Sequence, residues 1–213
     1  MLRLGMIMEV KKSYCVLLMV ISFGCAISPQ SKEAKYLKRG QAQMAKRDYS
    51  RAILEFLTAA QVMPKDAEPY YQLGLAYLES RNVASAVGAF RQATQLNPQH
   101  AGANLKLAEL MTASRDKDLV TEASTRLESL LTASPDNTEA IDTLAVAEAQ
   151  LGKPEDAAKR LEESLRKFPA HLESSVVLAR IKLGQKDLAG AEEVLKKAAA
   201  AAPQSAPAAL ALG

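Results

Sequence analysis

Tryptophan is absent from this chain of 213 residues, and the aromatic share is only 5%. Any core must therefore be aliphatic, drawn from a hydrophobic content of 48% in which alanine is prominent. Only two cysteines occur, Cys15 and Cys25, both in or beside one greasy run near the N-terminus. None lies between Ala26 and Gly213, which excludes an internal disulfide and a thiolate metal site in the body of the chain. Histidine is as scarce. His100 in NPQH and His171 in FPAH each sit two residues after a proline and read as helix-entry loop residues. No HExxH, glycine-rich phosphate loop or G-x-S-x-G occurs, so the expectation is a protein that is not an enzyme and uses neither metal nor cofactor. Excess charge is missing too. Arg3, Lys11, Lys12 and Glu9 precede the greasy run, leaving 24 basic and 23 acidic residues after it. A near-neutral body lacks the footprint that nucleic acid requires.

The greasy run is short. Lys11 and Lys12 introduce an apolar segment from Tyr14 to Phe23. It suits the apolar core of a signal peptide and falls short of the roughly 18 residues that span a membrane. No stretch after residue 30 approaches that length. The segment ends Ser22-Phe23-Gly24-Cys25. This resembles the bacterial lipobox, in which a diacylglyceryl group joins an invariant cysteine and the signal is cut just before it. Gly24 and Cys25 match that pattern, whereas Ser22 and Phe23 depart from it. Three fates stay open: a signal peptide over 1–24 with lipidation of Cys25, secretion without lipid, and an uncleaved anchor. Translation from Met8 would give a tidier start than translation from Met1. Residues 25–32, polar and small, read as a tether.

Prolines organise the rest. Pro64, Pro98, Pro135, Pro169 and Pro203 are spaced by 34, 37, 34 and 34 residues. Twelve residues before each stands an alanine: Ala52, Ala86, Ala123, Ala157 and Ala191. Eight before stand Phe56, Phe90, Leu127, Leu161 and Leu195. Further upstream comes a small residue: Gly40, Gly74, Ala108, Ala145 and Ala179. A period of this length signals a solenoid of helical pairs, since one pair cannot bury its apolar stripe without a neighbour. Each proline ends the second helix of its unit, because it lacks an amide hydrogen and disfavours helix in the residue before it. The third unit carries three extra residues near ASRDKDLVTEA, which predicts a longer first helix or a wider turn, with Arg115 to Asp118 as a solvated loop.

These positions resemble the tetratricopeptide repeat, whose pattern Tyr70, Leu73, Gly74, Tyr77, Ala86, Phe90, Ala93 and Pro98 reproduce almost completely. The resemblance implies an all-α fold: a right-handed superhelix over 33–205, in units 33–66, 67–100, 101–137, 138–171 and 172–205. Residues 206–213 read as the start of a sixth unit, truncated if the chain is a piece of a longer protein. The resemblance also implies a concave groove lined by first helices. Carried onto this chain, its positions are Leu37, Gln41, Met44, Tyr71, Leu75, Leu78, Leu105, Glu109, Val146 and Arg180. That set is mainly apolar, with Glu109 and Arg180 as its only charges. It lacks the several lysines, arginines and asparagines that clamp a peptide carboxylate, and it suits capture of a peptide or helix. The expected function is a non-catalytic scaffold. It would be exported and lipid-anchored with its repeats in the periplasm, the outer membrane favoured by Ala26. There it would support outer-membrane biogenesis, a pilus, or exopolysaccharide or surface-protein export. The alternatives are a soluble periplasmic peptide-binding module and a cytoplasmic adaptor. Its partners are expected to be proteins or peptides, and the membrane through the lipid, with no small-molecule substrate.

Overall fold

A computed structural model describes residues 28–201. The expected signal peptide, Cys25 and the expected sixth unit lie outside the described residues. Within them the chain forms helices only. The first helices of successive units are α1 (Pro29–Ala45), α3 (Glu68–Glu79), α5 (Ala101–Ser114), α7 (Thr138–Gln150) and α9 (Leu172–Gly184). The second helices are α2 (Tyr49–Val62), α4 (Val83–Leu96), α6 (Lys117–Ala133), α8 (Pro154–Lys167) and α10 (Leu188–Ala201).

Local chemistry explains most of the boundaries. Side chains of Ser28, Asp48, Asn82, Asp116 and Asn137 accept from amides in the first turns they precede, satisfying donors that have no partner inside the helix. Pro154 opens α8 at a position that needs no amide hydrogen. Met63, Asn97, Ser134 and Phe168, each just before a unit-ending proline, have left the helical region, with φ from −126° to −139°. The proline ring forbids them helical ψ, and the helix stops there.

Two expectations are corrected. Residues 29–32 are not a tether: Ser28 caps α1, and Pro29 starts it. The three extra residues of the third unit lengthen the second helix, not the first. Helix α6 has 17 residues where the other second helices have 14. Asp116 makes this possible, because its carboxylate receives the amides of Asp118 and Leu119 at 3.0 and 3.1 Å and nucleates an earlier start. Residues 115–118 are all exposed, but only Arg115 and Asp116 lie in the turn.

Helices pack in pairs within a unit, and each second helix packs on the first helix of the next unit. First helices also touch across units, α1 on α3, α5 on α7 and α7 on α9, and so form the inner layer. Where they pair, the small residue of the first helix faces the large residue of the second. A methyl added to Gly40 would meet the ring of Phe56, with Cδ1 at 2.6 Å, and one on Gly74 would meet Phe90 at the same distance. Both rings are fully buried, as are Leu127 and Leu161 in the later units.

The turn inside every unit contains one residue with positive φ: Arg47, Arg81, Arg115, Gly152 and Lys186, at 58° to 80°. Only the fourth unit uses glycine there. The basic residues accept backbone strain of about 1 kcal/mol, partly offset by placing a cation at a helix C-terminus.

Candidate functional site

The inner layer of first helices carries the polar chemistry. The two histidines cap α5 and α9. His100 Nδ1 accepts from the Ala103 amide at 3.1 Å, and His171 Nδ1 from the Ser174 amide at 3.3 Å. Each also reaches a carboxylate one unit back. His100 Nε2 lies 3.2 Å from Glu68 Oε2, and His171 Nδ1 lies 3.5 Å from Asp142 Oδ2. Ser174 completes the second cluster by donating a short hydrogen bond to Asp142 Oδ1. Its proton thus goes to a carboxylate, and its side chain is fully buried, so the trio stitches α7 to α9 rather than presenting a nucleophile.

Across α5, α7 and α9 the groove deepens into a recess of about 380 Å³. Glu109, Glu139, Asp142 and Glu173 line it, with Val146 and Val177 between them. Lys106 Nζ bridges Glu109 at 3.0 Å and Glu139 at 2.7 Å. That ammonium holds the Glu139 carboxyl below its usual value, whereas burial carries Glu109 above its own. Burial also pushes Asp142 up to about 6, against the opposing hydrogen bond from Ser174 and the proximity of His171. A neighbouring recess of about 330 Å³ is lined by Val146, Ala149, Pro154, Arg180, Ile181 and Gln185.

The groove residues carried over from the repeat pattern fare unequally. Glu109, Val146 and Arg180 do come together along these two recesses. Gln41 is exposed on α1, away from both. Leu37 and Met44 are half-buried against Phe56 and Leu73, and Leu75 and Leu78 against the core of units two to four. Leu105 is a correction: it is 6% exposed, inside that core, and offers a ligand no side chain. Tyr71 packs against His100, with ring centroids 4.7 Å apart and planes tilted by 46°, and lies over Gly102, whose missing side chain makes room for it. It joins units two and three. Sequence reasoning missed Glu139 and Glu173 at the recess. The signal was present, because both occupy the repeat position of Glu68, at a spacing of 34 residues between them.

The architecture and groove are those of a repeat scaffold, and the chain belongs to the tetratricopeptide repeat family. The family model for the Cytochrome c-type biogenesis protein H TPR domain matches residues 29–174, and a general tetratricopeptide repeat model matches residues 143–206. Among solved structures, PilW, described as a widely conserved type IV pilus biogenesis factor, superposes with a TM-score of 0.73 at 20% identity. The match covers 84% of this chain and 82% of PilW. A MamA fragment from Desulfovibrio magneticus RS-1 gives 0.72 at 20% identity, covering 83% and 98% of the two chains. YrrB, described as having an unusual peptide-binding site, gives 0.65 at 18%, covering 83% and 89%. At these identities the likeness is one of fold. Curated relatives include human protein O-mannosyl-transferase TMTC3, 24% identical over 81% of this chain. The peroxisomal targeting signal receptor of Debaryomyces hansenii is 34% identical over 50% of it. The chain spans only 23% and 17% of those two proteins.

Proposed function

We propose that this chain is a non-catalytic scaffold of the bacterial cell envelope. It is exported, held to the outer membrane through a lipid on Cys25, and binds extended peptide segments of envelope proteins along its concave face. The observation that carries the binding reading is the continuous inner layer of first helices, which opens into two adjoining recesses sharing Val146. A main chain laid across successive units would place alternate side chains into them. The envelope reading is supported by the short apolar leader that ends at Gly24-Cys25. It is also supported by the kinds of protein this chain resembles, among them a pilus biogenesis factor and a cytochrome c-type biogenesis domain.

Metabolic labelling with a clickable fatty acid tests the anchor. Label is expected on the wild type and absent from Cys25→Ser; an unlabelled, released wild type would remove the anchor from the proposal. A photo-crosslinking residue at Arg180, in the groove, is expected to trap envelope partners, whereas the same residue at Glu128, exposed on α6, is expected to trap none. Equal trapping at both positions sinks the groove reading. Ser22 and Phe23, which depart from the lipobox pattern, favour a second reading, a soluble periplasmic peptide-binding module. It differs from the first only in the labelling result.

A further inference from the structure

The recess across α5, α7 and α9 has a charge imbalance that the chain corrects only in part, through Lys106 and through His171 beside Asp142. Four carboxylates line it. The ammonium of Lys106 is already committed to Glu109 and Glu139. Glu173 makes no ion pair among the described residues, and it stands exposed at the rim in the first turn of α9, next to the buried Ser174 and Ser175. The same repeat position in unit two is internally satisfied, since Glu68 receives Gln72 Nε2 at 2.7 Å and meets His100 at 3.2 Å. The imbalance therefore belongs to units three to five and is not a general feature of the repeat.

Two polar atoms point independently to a missing partner. Asp142 is 5% exposed; Ser174 donates to its Oδ1, and Oδ2 has no hydrogen bond, its nearest basic group being His171 Nδ1 at 3.5 Å, a nitrogen already engaged by the Ser174 amide. Thr112 is 4% exposed, and its hydroxyl has no hydrogen bond either. Both side chains line the recess. Native structures leave few such groups unpaired, because an unpartnered buried polar atom costs on the order of 1–3 kcal/mol. Charge–charge attraction in a partly desolvated groove is several times stronger than in bulk water, so a cation entering here gains more than it would at an open surface.

We infer that this recess is a subsite for one basic side chain, lysine or arginine, of the bound peptide. The head group sits between Glu139 and Glu173 above Asp142, and its aliphatic stem lies on Val146 and Val177. A basic side chain fits better than a free metal ion, because the valines offer nothing to a hydrated cation and suit a hydrocarbon stem. The inference rests on the groove reading above and gives it a residue preference.

The test is selection of displayed random peptides on the full chain and on two variants. Glu173→Gln changes a solvent-facing group and is not expected to disturb folding; Asp142→Asn probes the floor. Glu128→Gln on the outer face is the control. The expected result with wild type and control is enrichment of one basic position flanked by apolar residues. Both recess variants are expected to lose that enrichment. A selected peptide whose basic residue is replaced by citrulline or norleucine is expected to bind about tenfold more weakly to wild type and equally to the variants. Enriched peptides without a basic preference would overturn the subsite and leave the groove standing. A basic preference that persists unchanged in a folded Glu173→Gln chain would overturn it as well. Absence of any selected peptide would overturn both.

Discussion

Units one and two solve the packing of their helix pairs differently from units three to five. The first two set glycine against phenylalanine, Gly40 with Phe56 and Gly74 with Phe90. Units three and four set alanine against leucine, Ala108 with Leu127 and Ala145 with Leu161, and the repeat register aligns Ala179 with Leu195 in unit five. Volume is nearly conserved across each pair, which is what a core close to crystal density demands. The consequences differ. A planar ring wedged on a glycine backbone tolerates no added atom. Leucine on alanine leaves a more adjustable contact, and the fifth unit goes further in that direction. Its Ser175 stands where units one and two have Tyr36 and Tyr70, and a recess of about 360 Å³ opens between α8, α9 and α10. The polar groove chemistry concentrates in this less tightly filled half. Large apolar contacts hold the N-terminal units, and charged side chains decorate the C-terminal ones.

Exchange of the two solutions should break the comparison most visibly. Gly74→Ala forces a methyl into the Phe90 ring and is expected to cost about 2–3 kcal/mol in urea unfolding, despite the better helix propensity of alanine. Phe90→Leu alone is expected to cost about 1–2 kcal/mol. The double variant converts unit two to the alanine–leucine form and should recover much of that, with a coupling of about 1–3 kcal/mol. Additive losses would show that the pair is not a unit.

The next largest effect lies in the groove and depends on pH. Asp142 is raised from 3.8 to about 6 in the folded chain, which disfavours its ionised form there. Its contribution to stability is therefore complete below about pH 4 and lost as pH rises through 6. Glu139 beside it on α7, and Ser174, His171 and Glu173 at the start of α9, set the local field, while Glu109 and Lys106 of α5 face the same recess. Asp142→Asn removes the penalty. It is expected to stabilise the chain by on the order of 2 kcal/mol above pH 7 and to give no advantage below pH 4. Thermal melts across that range decide it, and a variant advantage that grows toward acid contradicts the assignment.

Two smaller predictions sharpen the contrast between the halves. Glu148 on α7 is 7% exposed and pairs with Arg160 on α8 at 2.6 Å. Glu148→Ala is expected to cost about 1–2 kcal/mol, discounted because the arginine can still reach solvent. In unit one the exposed Arg39 meets the half-buried Glu55 at 3.7 Å, and Arg39→Ala should move the denaturation midpoint little. At the turns, Arg81→Gly should stabilise by a few tenths to about 1 kcal/mol, and Gly152→Ala should destabilise by about 1 kcal/mol. The sign reversal between units two and four is the diagnostic, readable from denaturation midpoints.

Much of this architecture was legible in the chain. The spacing of Pro64, Pro98, Pro135 and Pro169 locates the ends of four second helices, because the ring acts on its own residue and the one before. The pairing of Gly74 with Phe90 is visible as a size exchange with Ala145 and Leu161. The extra residues of unit three were visible, but their place was not, because capping by Asp116 competes with extension of α5. The left-handed turn residues were hidden by their identity: arginine and lysine give no sign of positive φ, and only Gly152 hinted at the shared position. The groove was half legible. Repeat register named Glu109 and Val146, but it also named Leu105, which the stacking of units two to four buries.

The sequence by itself determined a periodic stack of helix pairs, because helix stops, caps and apolar stripes are local and recur every 34 residues or so. It also determined that the body has no thiol chemistry, since no cysteine follows Cys25. Tertiary structure alone decided which polar side chains meet. Asp142 and Ser174 are 32 residues apart, and Lys106 and Glu139 are 33. Whether such residues touch depends on how first helices lie against one another, and on which face each turns inward once its core residues are seated. Burial then sets their electrostatics, and it pushes the Asp142 carboxyl up to about 6.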